Sequence, residues 1–388
     1  MEKTEINADR LEWCLNSFEL TLEELAVGVN ISQKTLRSAN EGEAALTIGQ
    51  LKKLSKYFNR SMLFFINPAP VEEEKILSAQ FRTINNRRPV HDRQLRALIE
   101  RVEKQREVYL GLREDLELPY RANWYPEHLN FQDRNKKLGA DKIREWLRIP
   151  EERDFNKLRQ LVEAREILVI VSNGYNGDWQ IKKEEPVRGF SLYYESFPVI
   201  VIKKQRDGAQ AFTLLHELIH LLLHKESVLD YEEDYESETR REKEANLLAG
   251  YILLPDRLLE RINIRELTSF RVNEIDKFLT PYATRWCLSV EAILVRLNQE
   301  RKINYVFYNA YKEFKANLMI VPINEEDDNR IPRLYRHREP LKIFGESYVT
   351  TVLEAYHNQY ISLAKASSYL DNIKIKDIHK LEQHVIQL

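Results

Sequence analysis

Residues 212–224 read FTLLHELIHLLLH and place three of the chain's nine histidines within nine residues, with a single glutamate among apolar neighbours. His216 and His220 lie one helical turn apart, so both rings project from the same face of a helix. That spacing lets two imidazole nitrogens reach one Zn²⁺ at about 2.0–2.1 Å without distorting the backbone. Glu217 stands beside the first histidine, where a carboxylate can take a proton from an activated water and later hand it to a leaving amine. The same residues also read as a buried amphipathic helix whose histidines are satisfied by hydrogen bonds. An HExxH pattern alone does not separate the two.

A catalytic zinc site needs a third protein ligand and an open fourth position. His224 is eight residues from His216, about 12 Å along a straight helix, which is too far to share one ion. It is expected to cap the helix end or to support a ligating ring. Downstream, REKEAN (241–246) offers Glu242 and Asn246, four apart and therefore on one helix face. Glu242 could complete a His-His-Glu set, and Asn246 could accept the free ring N–H of a ligating histidine. Glu244 competes from a different side of the helix. The charged run TRREKE (239–244) reads equally as a solvated face.

Around this stretch the period changes. ILVIVSN (167–173), RGFSLYYES (188–196) and PVIVIKK (198–204) read as strands bounded by Gly, Asn, Asp and Pro. The acidic KESVLDYEEDYESE (225–238) reads as a loop, and the helix that follows stops at Pro255. From there to the C-terminus the reading is mostly helix. Residues 7–66 form a run of short helices. Thr21 and Ser32 stand at cap positions and Gly42 at a stop, which suits a helix-turn-helix inside a small bundle. NPAPVEEE (67–74) reads as a linker, and the arginine-rich stretch beyond it as a solvated helix with a thin apolar stripe.

Composition bounds the rest. With 388 residues, 43% hydrophobic and 31% charged, the chain suits two or three folded domains. A formal net charge of −2 gives no global case for nucleic-acid or membrane binding. Cys14 and Cys287 form no CxxC pair, so no thiolate metal site or disulfide framework is expected. No signal-peptide core and no apolar run of about 20 residues is present, and a cytoplasmic location without membrane partners is the expectation.

FTLLHELIHLLLH followed by EKEANLLAGYILLP closely resembles the core of the ImmA/IrrE family of HExxH zinc metallopeptidases, whose signature continues with ExxAN and an apolar stretch closing at proline. The resemblance implies Zn²⁺ held by His216, His220 and Glu242, Glu217 as general base, and His224 as a non-ligating extension. Residues 21–67 resemble the Xre-type helix-turn-helix domain often joined to this peptidase. SVEAILVRLNQERKI and ISLAKASSYLDNIKI resemble the C-terminal region of long, fused members.

The expected fold is therefore α+β and mostly helical. A helix-turn-helix bundle (1–69) and a helical linker region (70–150) precede a zincin-like, gluzincin-type peptidase domain with a small sheet (151–260). A helical region follows (261–388). Gln33, Lys34, Thr35, Arg37 and Ser38 are the residues that could face a major groove of double-stranded DNA. Residues 1–69 carry eight Lys/Arg against nine Asp/Glu, so dimerisation or partner docking competes evenly with DNA binding. The leading expectation is an endopeptidase that cuts a regulatory protein, such as a helix-turn-helix repressor, in a stress or mobile-element response. The alternative is a DNA-binding regulator or antitoxin that binds an operon-encoded toxin.

Overall fold

The computed structural model describes residues 3–71, 92–119, 124–127, 135–173, 177–182, 184–225, 227–231, 240–319 and 333–387. The end of the expected linker (72–74), the first arginines of the basic tract and the acidic stretch 232–239 lie outside these. The chain divides into two compact units, Met1–Arg101 and Val102–Leu388, with the boundary inside the helix Arg93–Asp115. Among the described residues no helix is long and apolar enough to cross a membrane.

In the first unit, short helices span Ala8–Ser17, Leu22–Val29, Gln33–Asn40, Ile48–Phe58 and Met62–Ile66. Each boundary has a local cause. Thr21 and Thr47 form capping boxes with Glu24 and Gln50, satisfying orphan N–H groups at two helix starts. Ser32 caps the third helix through the backbone N–H of Thr35. Gly42, at φ +83°, takes the left-handed turn after it. Strands β1 (Lys3–Thr4) and β2 (Leu46–Thr47) pair antiparallel. Leu11, Leu25, Leu36, Leu54 and Phe65 fill the core.

The second unit is built on a four-stranded sheet of β3 (Leu168–Val171), β4 (Val187–Leu192), β5 (Val199–Ile202) and β6 (Val228–Tyr231), in the order β3-β5-β4-β6. β3 and β5 run parallel, and β4 is antiparallel to both β5 and β6. β3 and β5 are continuous apolar runs, LVIV and VIVI, buried at every position. Such runs suit strands covered on both faces. The histidine helix (Asp207–Ile219) packs against β4, β5, the helix Phe155–Glu163 and the glutamate helix (Arg240–Leu253).

Residues 228–231, expected within an acidic loop, form the edge strand β6, because Val228 and Leu229 have an apolar sheet to join. Residues 136–147, expected as a helix of the linker region, form that helix, and it packs on the glutamate helix, with Ile143 and Leu147 in the same core as Leu214 and Leu248. That core also takes in Ile275, Leu279, Leu294, Leu297 and Tyr311, so the region after residue 260 is continuous with the sheet-bearing part. The arginines of the helix Arg93–Asp115 are more engaged than a solvated face would be. Arg106 bonds the Phe197 and Ser196 carbonyls at 2.9 and 2.7 Å, with its guanidinium over the Tyr194 ring.

Candidate metal centre

The histidine helix is buried because its apolar residues cover most of its circumference. Leu214, Leu215, Leu218, Ile219 and Leu221 are fully buried, and His216, Glu217 and His220 go with them at 2, 0 and 1% exposure. Polar groups so buried need partners to offset lost hydration. The two histidines find them in each other and in Glu242. His216 Nε2 lies 3.0 Å from His220 Nε2, and Glu242 Oε2 lies 3.1 and 3.3 Å from the two nitrogens.

Protons alone satisfy this triangle poorly, because two ring nitrogens at 3.0 Å cannot both donate to one carboxylate without facing each other. A cation satisfies all three. Tetrahedral zinc with bonds of about 2.0–2.1 Å has ligand–ligand edges of about 3.3–3.4 Å, close to the observed triangle. The donor set and its spacing therefore fit a divalent metal of zinc's type. Glu244 is resolved from Glu242 by direction. Two residues further along the helix, it forms a salt bridge with Lys136.

After Ile219 the helix widens into a π turn, His220–His224, closed by Lys225 N–H donating to the His220 carbonyl at 3.1 Å. Single π turns recur at functional sites. His224 Nδ1 lies 2.9 Å from His220 Nδ1, on the ring edge away from the cluster. Of the two residues expected beside a ligating ring, His224 is the one that meets His220. Asn246 Oδ1 and His216 Nδ1 are both buried without a hydrogen-bond partner among the described residues. Asn246 instead lines a cleft beside Phe212.

Burial drives the Glu217 carboxyl well above the usual carboxylate range; Asp230 and Glu242 add to this, and Ser191 and Arg188 oppose it. At Glu242 burial also acts upward, but the two histidines outweigh it and hold the carboxyl well below its usual range. His220 is lowered, chiefly by burial. Sequence reasoning missed three residues here. Asp230, on β6, is 2% exposed, 3.5 Å from Arg188 Nη2 and 3.9 Å from His216 Nε2. Ser191 acts on Glu217 from β4. A buried Arg and Ser inside the apolar run RGFSL were the available signal. Asp230 was masked by the acids that follow it.

Gly189 lets the helix come this close. A Cβ there would stand 2.7 Å from the Val201 carbonyl oxygen and 2.9 Å from Thr213 Cγ2. In the first unit, all five residues considered for DNA contact lie on the helix Gln33–Asn40. Lys34 and Arg37 are exposed. Gln33 donates to Glu23, and the Thr35 hydroxyl lies 2.8 Å from that of Ser32.

Residues 181–298 match the model of the Peptidase_M78 family, described as the IrrE N-terminal-like domain. The matched stretch contains every residue of this candidate metal site and supports a function of the metallopeptidase type. Comparisons with curated proteins and with solved structures give no match.

Proposed function

We propose that the chain is a zinc-dependent endopeptidase in which His216, His220 and Glu242 hold the metal and Glu217 is the general base. The observation that carries this reading is the buried triangle of two imidazole nitrogens and a carboxylate oxygen, with a second carboxylate beside it. Zinc held there would supply Lewis acidity, lowering the pKa of water to about 7 and polarising a scissile carbonyl. The chain's own residues supply the rest. Glu217 accepts the proton of the attacking water and returns it to the leaving amine. His224 fixes the orientation of the His220 ring. The substrate is a regulatory protein, of which a helix-turn-helix repressor is the favoured kind.

The test is elemental analysis of the purified protein together with co-expression of neighbouring gene products. About one zinc per chain is expected, lost in His216→Ala. Glu217→Gln should keep the metal and lose cleavage by about a hundredfold or more. Protein that purifies without any divalent metal would sink the reading. A second reading, a DNA-binding regulator or antitoxin, draws on the outward Lys34 and Arg37 of a helix that follows its predecessor after three residues. A Glu217→Gln variant that still represses transcription or protects against a toxin would favour it.

A further inference from the structure

A cleft of about 720 Å³ lies between the histidine helix, the glutamate helix and the helices Val290–Gln299 and Tyr305–Met319. Its volume falls in the range of about 300–1,000 Å³ typical of ligand clefts. Two of its walls come from the helices that carry the candidate cluster. On the histidine helix, Gly208, Phe212, His216 and His220 follow one another at intervals of four and so form a single stripe. The first two line the cleft and the last two hold the cluster. On the glutamate helix, Glu242, Asn246 and Gly250 do the same, with Glu242 at the cluster and the other two in the cleft. The Phe212 ring is stacked on that of His216, at 6.3 Å between centroids. The cleft therefore opens one helical turn from the cluster, along the same two helices.

Its interior is apolar in character. Leu253, Leu254 and Leu288 form part of the lining, and the charged groups are exposed or already engaged. Lys243, Glu291 and Lys312 are exposed. Arg296 is buried, but it is bound to Asp256 and Glu300 at 2.9 and 2.8 Å.

We propose that this cleft is the specificity pocket of the site and takes one large apolar side chain, Leu, Phe or Trp, of an extended peptide lying across the metal cluster. The proposal rests on the peptidase reading and deepens it by naming the substrate class. Phe212 and Ala292 are the specificity-determining walls, and Gly250 leaves the depth open. The occupant is a peptide because the cleft lies one helical turn from a cluster suited to peptide-bond hydrolysis, on the same two helices.

The test uses the full chain carrying Glu217→Gln and an array of short peptides. Each peptide holds a single Leu, Phe or Trp and is paired with a twin that has Ala at that position. The large-apolar member should bind about tenfold to a hundredfold tighter, as burial of one such side chain supports. The preference should collapse in Gly250→Leu and in Ala292→Trp, which fill the cleft from opposite walls. It should survive in Gly250→Ala, whose added Cβ meets only Arg296 Cδ, at 3.5 Å. Circular dichroism and zinc content identify which filled variants remain folded. Equal binding of the twins overturns the proposal, as does a preference unchanged in a folded, filled variant. Cleavage by the wild-type chain without an apolar preference removes the pocket and leaves the peptidase. An apolar preference without cleavage supports the pocket and removes the peptidase reading.

Discussion

At the scale of single residues, two glutamates on one helix take different partners. Glu242 meets both histidines, and Glu244 meets Lys136. Glu242→Gln should lower zinc affinity steeply, while Glu244→Gln should leave it unchanged, as read by competition with a chelating dye. His224→Ala should weaken metal binding about tenfold to a hundredfold, the usual effect of losing the partner of a ligating ring. Equal affinities for Glu242→Gln and Glu244→Gln would contradict the assignment. The shared face of His216 and His220, and that of Glu242 and Asn246, was legible in the sequence, since helical spacing alone sets it; that Glu242 rather than Glu244 meets the histidines was not. Asp230 was not, because its contact with the site depends on a strand pairing that joins residues about forty positions apart.

At the scale of elements, Gly189 on β4 sets how closely the histidine helix lies on the sheet. Gly189→Ala should destabilise the protein by about 1–3 kcal/mol through overpacking, since the new methyl meets a backbone carbonyl as well as Thr213. Thermal unfolding would measure it, and an unchanged Tm would refute the close approach. A second element-level device ties the helices Lys136–Leu147, Asp256–Leu259 and Val290–Gln299 together. Lys137 reaches Asp256 and Glu300 at 2.7 and 2.6 Å, and Arg296 bonds both. Burial acts to raise both carboxyls, but their bonds to the two cations outweigh it and hold them below the usual range. The folded state therefore binds these protons less readily than the unfolded chain. The stability they contribute is present above the ordinary carboxylate range and is lost as pH falls below it, through the lowered folded-state values. Lys137→Met should flatten that acid loss, and by no more than about 1 kcal/mol, because the groups are partly exposed.

At the scale of the whole molecule, one apolar core runs from Trp124 to Tyr311 through the sheet and the histidine and glutamate helices. A fragment ending at residue 260 would expose Leu258, Leu259 and the surfaces that Ile275, Leu279 and Leu294 cover. It should show no cooperative thermal transition by circular dichroism, whereas the chain to residue 388 should. Cys14 and Cys287 lie buried in the two units, and burial pushes both thiols up to about 12. Alkylation of the native protein should therefore run about a thousandfold slower than that of a free cysteine. Fast labelling would contradict the packing around them.

Local patterns alone determined much of this protein. Capping residues placed the helix starts of the first unit, apolar runs placed β3, β4 and β5, and the four-residue spacing aligned His216 with His220 and Glu242 with Asn246. These are short-range effects, written in neighbouring residues. Tertiary structure alone decided that residues 136–147 belong to the core, that 228–231 close the sheet, and that Asn246 lines a cleft. It also brought Asp230 beside the cluster and opened a cleft one turn from it. Those outcomes depend on which distant apolar surfaces bury one another, and burial is non-directional, so no local pattern records it.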